Sequence, residues 1–374
     1  SPRVAVKMSF LDIWDYIRAK GDPRLRRQGY ARSGVGLLER YRRAAGFWEP
    51  HLENNRRALR EIGAHLAGGP MPGDGGPGAA GPQSEIRNPE SASGTLLVLG
   101  AGRLLDVPWQ ELFPLFKRVV LADADSCSAP YVERLVAGAR VPGMPKPLVE
   151  VADVTESVVN AAAWAERTIR AASSAAAAAE ALAEGFDRAG AGQPAWARTY
   201  ADVRLVISSN LLSQLGYFPR LHIQTAFGRR FKQPLNEHAR AAASLERYFS
   251  RVRARHIADI AAFRKAWAYL STDVQTVVYS LQPGAGTSLL ALPVRPGAGV
   301  ELDEKGKLKF AWPVEIRERN DPLHGQRVKD LWPRGARTDP PRRWAWHIIP
   351  QGSEKDYSDR GCVHLVEAWT KRPE

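Results

Sequence analysis

Residues 95–125, TLLVLGAGRLLDVPWQELFPLFKRVVLADAD, decide how this chain is read. A run dominated by branched aliphatics, Thr95, Leu96, Leu97, Val98 and Leu99, passes straight into Gly100-Ala101-Gly102. A helix-length stretch comes next, then a second apolar run from Val119 to Ala122 that ends in Asp123. The pattern predicts a strand, a glycine turn, a helix and a parallel strand. Glycine suits such a turn because a side chain there would keep the backbone away from a nucleotide. An acid closing the second strand can accept from both ribose hydroxyls. The unit therefore predicts a nucleoside site.

Spacing narrows the nucleoside. A dinucleotide fingerprint wants a third glycine three residues after the second, where the helix packs on the strand and its N-terminus meets a pyrophosphate. Leu105 stands there. A turn that admits a ligand but lacks the pyrophosphate glycine suits a cofactor with ribose and adenine and no phosphate, and S-adenosyl-L-methionine meets that description. The alternative is an ordinary strand-to-helix turn of an α/β domain, so the weight falls on the strands downstream of Asp125.

Residues 148–154 (LVEVADV) read as a third strand with Asp153 and Val154 at its end. Residues 202–209 (DVRLVISS) read as a fourth, closing on Ser209 and leading into Asn210-Leu211-Leu212-Ser213-Gln214-Leu215. Residues 276–281 make a fifth. Residues 344–349 (WAWHII) and 363–369 (VHLVEAW), separated by a polar loop, read as a closing antiparallel hairpin. In order and spacing, residues 94–371 resemble the class I S-adenosylmethionine-dependent methyltransferase family. The resemblance implies an α/β fold: a Rossmann-like methyltransferase sheet, mostly parallel, with a C-terminal antiparallel hairpin. It also implies an enzyme whose cofactor contacts are Gly100, Ala101, Gly102, Asp106, Asp123, Asp153, Val154 and Ser209. Asp153 stands where that family often places an acid near the adenine amine. The run after strand four lacks the Asn/Asp-Pro-Pro-aromatic pattern of many amino-methyltransferases, which lowers a nucleobase or protein-glutamine target.

Methyl transfer asks the protein chiefly to align a nucleophile behind an activated methyl and to remove a proton where one must leave. Asn210 and Gln214, at the mouth of strand four, are the first catalytic candidates: a side-chain amide can orient an amine or hydroxyl, or Asn210 caps the next helix. His51 is the third, because Trp48, His51, Asn54 and Asn55 lie on adjacent turns of one predicted helix. That group either closes over the methyl donor, with Trp48 as a cation–π partner, or forms an interface between helix and sheet. Tyr30, Tyr217 and Trp48 are the substrate-binding candidates. His238, His256, His324, His347 and His364 are the remaining histidines considered as bases, the last two in terminal strands where a structural role is expected. Asp106 either reaches the methionine amino group or caps a helix beginning at Val107-Pro108.

Three pieces are expected. Residues 1–67 form a helical N-terminal cap, with Phe10, Ile13, Trp14 and Ile17 on one helical face and Phe47, His51, Leu52, Asn55, Leu59 and Ile62 on another. Residues 68–93, rich in Gly and Pro, read as a flexible linker that ties the cap loosely to a catalytic domain at 94–374. The alanine-rich tract 161–183 reads as one helix and 185–194 as a loop.

Two cysteines, Cys127 and Cys362, provide neither a disulfide framework nor a metal cluster, so no metal is expected. A reducing, cytoplasmic setting without a membrane span or secretory leader is expected. Net charge is +13, most of it from arginine. Clusters at Arg24-Leu25-Arg26-Arg27, Arg251-Val252-Arg253-Ala254-Arg255 and within 334–343 admit a polyanion, yet no run of five basic residues occurs. A small-molecule acceptor is the leading expectation. RNA or protein methylation on basic surfaces, and a non-catalytic assembly module of the same fold, are the alternatives; the oligomeric state is left open.

Overall fold

The computed structural model describes residues 22–68, 93–139, 141–282, 289 and 299–374. The predicted helical face Phe10, Ile13, Trp14 and Ile17 and nearly all of the Gly/Pro-rich linker lie outside those residues. The chain opens with helices α1 (Pro23–Gln28) and α2 (Tyr30–Leu66). Next come β1 (Thr95–Leu99), α3 (Trp109–Leu112), β2 (Arg118–Asp123), α4 (Ser128–Ala139) and β3 (Leu148–Val151). Helices α5 (Val158–Ala171), α6 (Ala175–Arg188) and α7 (Trp196–Thr199) lead to β4 (Val203–Ser209). They are followed by α8 (Tyr217–Phe231), α9 (Ala239–Ala261) and β5 (Trp267–Leu281). The C-terminal part adds β6 (Val300–Leu302), β7 (Leu308–Phe310), β8 (Val314–Asn320), α10 (Val328–Leu331), β9 (Arg342–Ile349) and β10 (Gly361–Lys371).

The main sheet runs β3-β2-β1-β4-β5-β10-β9, with β8 also paired to β5. The first five strands are parallel neighbours, whereas β10 is antiparallel to both β5 and β9. This is a mixed α/β fold. Side chains alternate across the strands as the period of two requires. Leu97, Leu99, Val120, Ala122, Val206 and Leu270 enter a core that includes residues of α5, α6, α8 and α9. Leu96, Val98, Val119, Leu121, Leu205, Ile207 and Tyr269 enter the opposite core, together with Trp48, Leu52, Leu59 and Ile62 of α2 and Trp344, Trp346 and Ile348 of β9. Both faces are covered, which is why these strands read as continuous apolar runs.

The N-terminal helices therefore differ from a loosely tied cap. The second half of α2 is a wall of the sheet's own core: Trp48 donates its indole N–H to Ile348 O at 2.9 Å, and Arg56 grips Leu105 O at 2.6 and 3.0 Å. Pro50, inside α2, has no N–H for the carbonyl one turn earlier and crowds it. Separately, the backbone leaves helical geometry at Ala44 (φ −127°, ψ 28°), which kinks the helix there.

Three further readings are corrected. The alanine tract is two helices rather than one, because Ser174 Oγ accepts from Ala177 N and starts a new helix. That helix continues through Gly185 to Arg188, beyond the expected loop boundary. Strand five begins at Trp267, not 276: Ser271, Thr272 and Asp273 are polar yet buried, which hid half of its 15 residues. Its first half pairs with β4, and its second half runs past β4 to pair with β8 instead.

Gly185 is required by packing. A Cβ there would sit 1.9 Å from Trp164 Cη2, whose ring is itself held edge-on against Phe186 at 5.3 Å. Gly185→Ala gains about 1 kcal/mol of helix propensity, but overpacking of about 1–3 kcal/mol opposes it. The expected net result is a lower denaturation midpoint; an unchanged or raised midpoint would show that Trp164 moves freely.

Candidate functional site

Loops at the C-terminal ends of β1, β2, β3 and β4 open on one cavity of about 180 Å³, roofed by α2. Ligands in open α/β sheets bind in this crevice. Four adjacent strand tips span three inter-strand spacings, about 14 Å at ~4.8 Å each, enough for an extended nucleoside. Gly100, Ala101, Gly102, Asp106, Asp123, Asp153, Val154, Ser209, Asn210, Gln214, His51, Trp48 and Tyr30 all line this cavity. Tyr217 does not: it is 58% exposed, its ring edge-on to Phe218 at 5.1 Å, and Phe218 occupies the wall in its place. Successive residues of a helix point about 100° apart, so one position separates lining from solvent.

Gly100 and Gly102 take positive φ (68° and 50°), the left-handed turn that glycine adopts without strain. Gly102 N–H donates to Asp123 Oδ2 at 2.5 Å and Asp125 N–H to Asp123 Oδ1 at 2.6 Å. The acid thus ties the turn to the next loop. Each carboxylate oxygen keeps lone-pair capacity for a further donor. Burial raises the Asp123 pKa above the usual carboxylate range, against the pull of those two N–H groups. Asp153 is more committed: Oδ1 accepts from Thr155 N (2.9 Å) and Thr155 Oγ1 (2.8 Å), and Oδ2 from Val159 N (3.0 Å). It secures the start of α5 while lining the cavity. Tyr30, with its ring 5.0 Å from that of Phe218, closes this end; burial, then Asp153 and Asp123, push its phenol pKa well up.

At the other end, Asp106 and Asn210 do not act as caps. The helix after Asp106 and the short turn at Leu212–Gln214 each lack a side-chain cap. The Asn210 amide lies 3.0 Å from Asp106 Oδ2 and 3.0 Å from His51 Nε2, and Ser209 Oγ also bonds Asp106 Oδ2. Asn210 holds φ 53°, a conformation Asn tolerates better than most residues. Burial raises the Asp106 pKa. His51 is wholly buried, accepts from Trp344 Nε1–H at Nδ1 (2.9 Å), and stacks on Trp346 at 4.0 Å and 7°. Burial pulls its pKa down to about 3, keeping the ring neutral. His238, His256, His324, His347 and His364 lie elsewhere; His256 meets Ser208 Oγ at 2.9 Å and His347 meets Tyr279 Oη at 2.7 Å.

Sequence reasoning missed Arg103, Asp125, Phe218 and Trp346, all on the cavity wall. Arg103 approaches Asp125 Oδ2 to 3.4 Å and lies 4.9 Å over the Tyr131 ring. Asp125 bonds Cys127 N at 2.8 Å, and a Cβ on Gly34 of α2 would fall 1.8 Å from Asp125 Oδ2, so only glycine lets the roof come this close. Burial, opposed by Arg103 and reinforced by Asp123, pushes the Asp125 pKa up to about 7. Charged residues flanking a glycine turn are a recognisable signal for Arg103; nothing local in the sequence points to Trp346.

The chain matches no known family profile and no curated protein by sequence. One solved structure, described by the words "Conversion of a Disulfide Bond into a Thioacetal Group during Echinomycin Biosynthesis", aligns with 76% of this chain and 78% of its own at 15% identity and a TM-score of 0.26. That likeness is too low to carry an argument about fold or function. Among the described residues no helix is long and apolar enough to cross a membrane.

Proposed function

We propose that this chain is an S-adenosylmethionine-dependent methyltransferase acting on a small-molecule acceptor beneath α2. The observation that carries the reading is the single cavity running from Tyr30, Phe218 and Asp153 past the Gly100–Gly102 turn and Asp123 to Trp48, His51 and Trp346. Asp123 would accept from the ribose, Tyr30 and Phe218 would flank the base, and Asp123 and Asp125, when ionised, would favour a cationic ligand. The cofactor supplies a methyl group on a cationic sulfur. The protein's part is to orient the acceptor and exclude water, which a roofed and largely apolar cavity favours. Leu105 in place of a third glycine and the antiparallel β9–β10 pair beside β5 speak against a dinucleotide enzyme.

A polyanionic target is less well supported. Arg24, Arg251, Arg253, Arg255, Arg342 and Arg343, members of the three basic clusters, hold carboxylates, amides or carbonyls of the chain itself.

Asp125 provides a pH test. It sheds its proton as pH rises through about 7, adding negative charge to the cavity. S-adenosylmethionine and S-adenosylhomocysteine differ by the methyl and the sulfonium charge. Their affinity ratio should therefore rise about three- to tenfold between pH 6 and 7.5, the size expected for one charge several ångströms away at an effective dielectric near 20. Asp125→Asn should flatten the rise. A ratio independent of pH in the unsubstituted protein would remove Asp125 from the cofactor's field.

A further inference from the structure

None of the three catalytic candidates, Asn210, Gln214 and His51, is suited to take a proton from an acceptor. Side-chain amides are not bases at neutral pH. His51 is wholly buried, and burial pulls its pKa down to about 3, so the ring resists protonation. Carboxyl groups remain, and four line the cavity: Asp106, Asp123, Asp125 and Asp153. Asp153 has both oxygens bonded at the start of α5. Asp123 holds one backbone N–H on each oxygen and is taken by the ribose in the reading above. Asp125 Oδ1 bonds Cys127 N–H, and its Oδ2 is shut off from water beside Gly34.

Asp106 differs from these three. It is half-buried, and its two oxygens have unlike surroundings. Oδ2 meets Ser209 Oγ and, at 3.0 Å, the Asn210 amide. Oδ1 takes no hydrogen bond from another described residue and, unlike Asp125 Oδ2, is open to water. Ser209 and Asn210 thus hold one oxygen at the tip of β4 and leave the other on the open side of a residue that lines the cavity. Arg56 grips Leu105 O at 2.6 and 3.0 Å, so the backbone beside the carboxyl is held as well. Burial raises the Asp106 pKa, against the pull of Ser209, Arg56 and Asn210. A carboxylate shifted toward neutral pH is a stronger base than an ordinary one.

We infer that Asp106, through Oδ1, is the general base of this site and that the acceptor is a neutral hydroxyl on an apolar body. The inference deepens the methyltransferase reading and rests on it for the reaction. In balance, the acceptor O–H bond breaks and its proton passes to Asp106 Oδ1, an O–CH3 bond forms, and the S–CH3 bond breaks with its electron pair left on sulfur. The carboxyl then returns its proton to water. A hydroxyl gains most from this base, because it is a weak nucleophile until its proton leaves. An amine already has its lone pair free, and an anion is repelled by the ionised carboxylate. Leu37, Leu52 and Trp48 provide apolar wall for the rest of the acceptor.

The test uses 2-naphthol, whose excited state is strongly acidic and passes its proton to a carboxylate within hydrogen-bond reach, so that its emission reports a base directly. 2-Naphthol, 2-methoxynaphthalene and 2-naphthoate are titrated into the full chain saturated with S-adenosylhomocysteine, with excitation beyond the tryptophan band. The inference expects 2-naphthol to bind about tenfold more tightly than the ether or the naphthoate, the size of one hydrogen bond to a charged group. Bound 2-naphthol should emit from its ionised form. Asp106→Asn, which keeps the shape and removes the base, should return the emission to the neutral form and abolish most of the preference over the ether. Asp106→Glu, with the carboxyl on a longer arm, should regain part of the ionised emission. Ionised emission that survives Asp106→Asn overturns the inference. So does equal binding of 2-naphthol and its ether, tighter binding of 2-naphthoate, or binding of no probe. Asp106→Asn that weakens S-adenosylhomocysteine but not 5′-methylthioadenosine also overturns it, since the carboxyl then holds the cofactor's amino group. Should S-adenosylhomocysteine fail to bind, the methyltransferase reading falls, and 2-naphthol emission from the bare protein still decides for or against Asp106 as the base.

Discussion

Removing residues 1–66 should yield an insoluble or molten chain rather than a smaller folded domain. Helix α2 buries Trp48, Leu52, Leu59 and Ile62 against Leu96, Val98, Leu205 and Ile207 of the sheet. Each such side chain contributes roughly 1.5–3 kcal/mol, so the four together account for on the order of 10 kcal/mol, as much as the whole net stability of a typical domain. The truncated protein would expose that sheet face to water and to other copies. Sedimentation and thermal melting of the 67–374 fragment check this; a soluble monomer with a cooperative melt would restore a separable cap. Leu59→Ala gives the graded version, with an expected loss of about 2–5 kcal/mol.

Asp123→Ala should weaken S-adenosylmethionine binding about a hundredfold or more. Two ribose hydroxyls donating to a carboxylate are each worth roughly 1.5–3 kcal/mol, and each 1.4 kcal/mol is a factor of ten. Part of the loss has a second origin, because the carboxylate also anchors Gly102 N–H and Asp125 N–H. Asp123→Asn separates the two. It retains an oxygen for one backbone donor, so its melting temperature should stay nearer that of the parent protein while affinity still falls at least tenfold. If both variants keep parent affinity, the acid holds the turn and not the ligand.

Much of the cavity wall was legible in the sequence, for reasons that differ between residues. Gly100, Gly102 and Asp123 are marked by local chemistry, since a strand, a glycine turn and a strand-closing acid fix one another's positions within 31 residues. Asn210, Ser209 and Gln214 follow from their place at the end of β4. His51 and Trp48 were reached from helical spacing, but their partners Trp344 and Trp346 lie almost 300 residues away on β9. Only the insertion of β10 between β5 and β9, with α2 bent across that edge, brings them together. Tyr217 shows the reverse limit: its neighbour Phe218 faces the cavity, and composition alone does not choose between adjacent aromatics. The polar start of β5 escaped because Ser271, Thr272 and Asp273 each find a tertiary partner. Ser271 Oγ meets Ser209 Oγ at 2.9 Å, and Asp273 Oδ2 accepts from Ser213 Oγ at 2.9 Å.

Calorimetric titration of the full chain with S-adenosylmethionine, S-adenosylhomocysteine and NAD in parallel tests the central claim most directly. Micromolar binding of both sulfur nucleosides, lost in Asp123→Ala, with no heat from NAD is the result expected of this cavity. Binding of NAD, or of none of the three, would contradict it and leave an α/β sheet whose crevice serves another ligand.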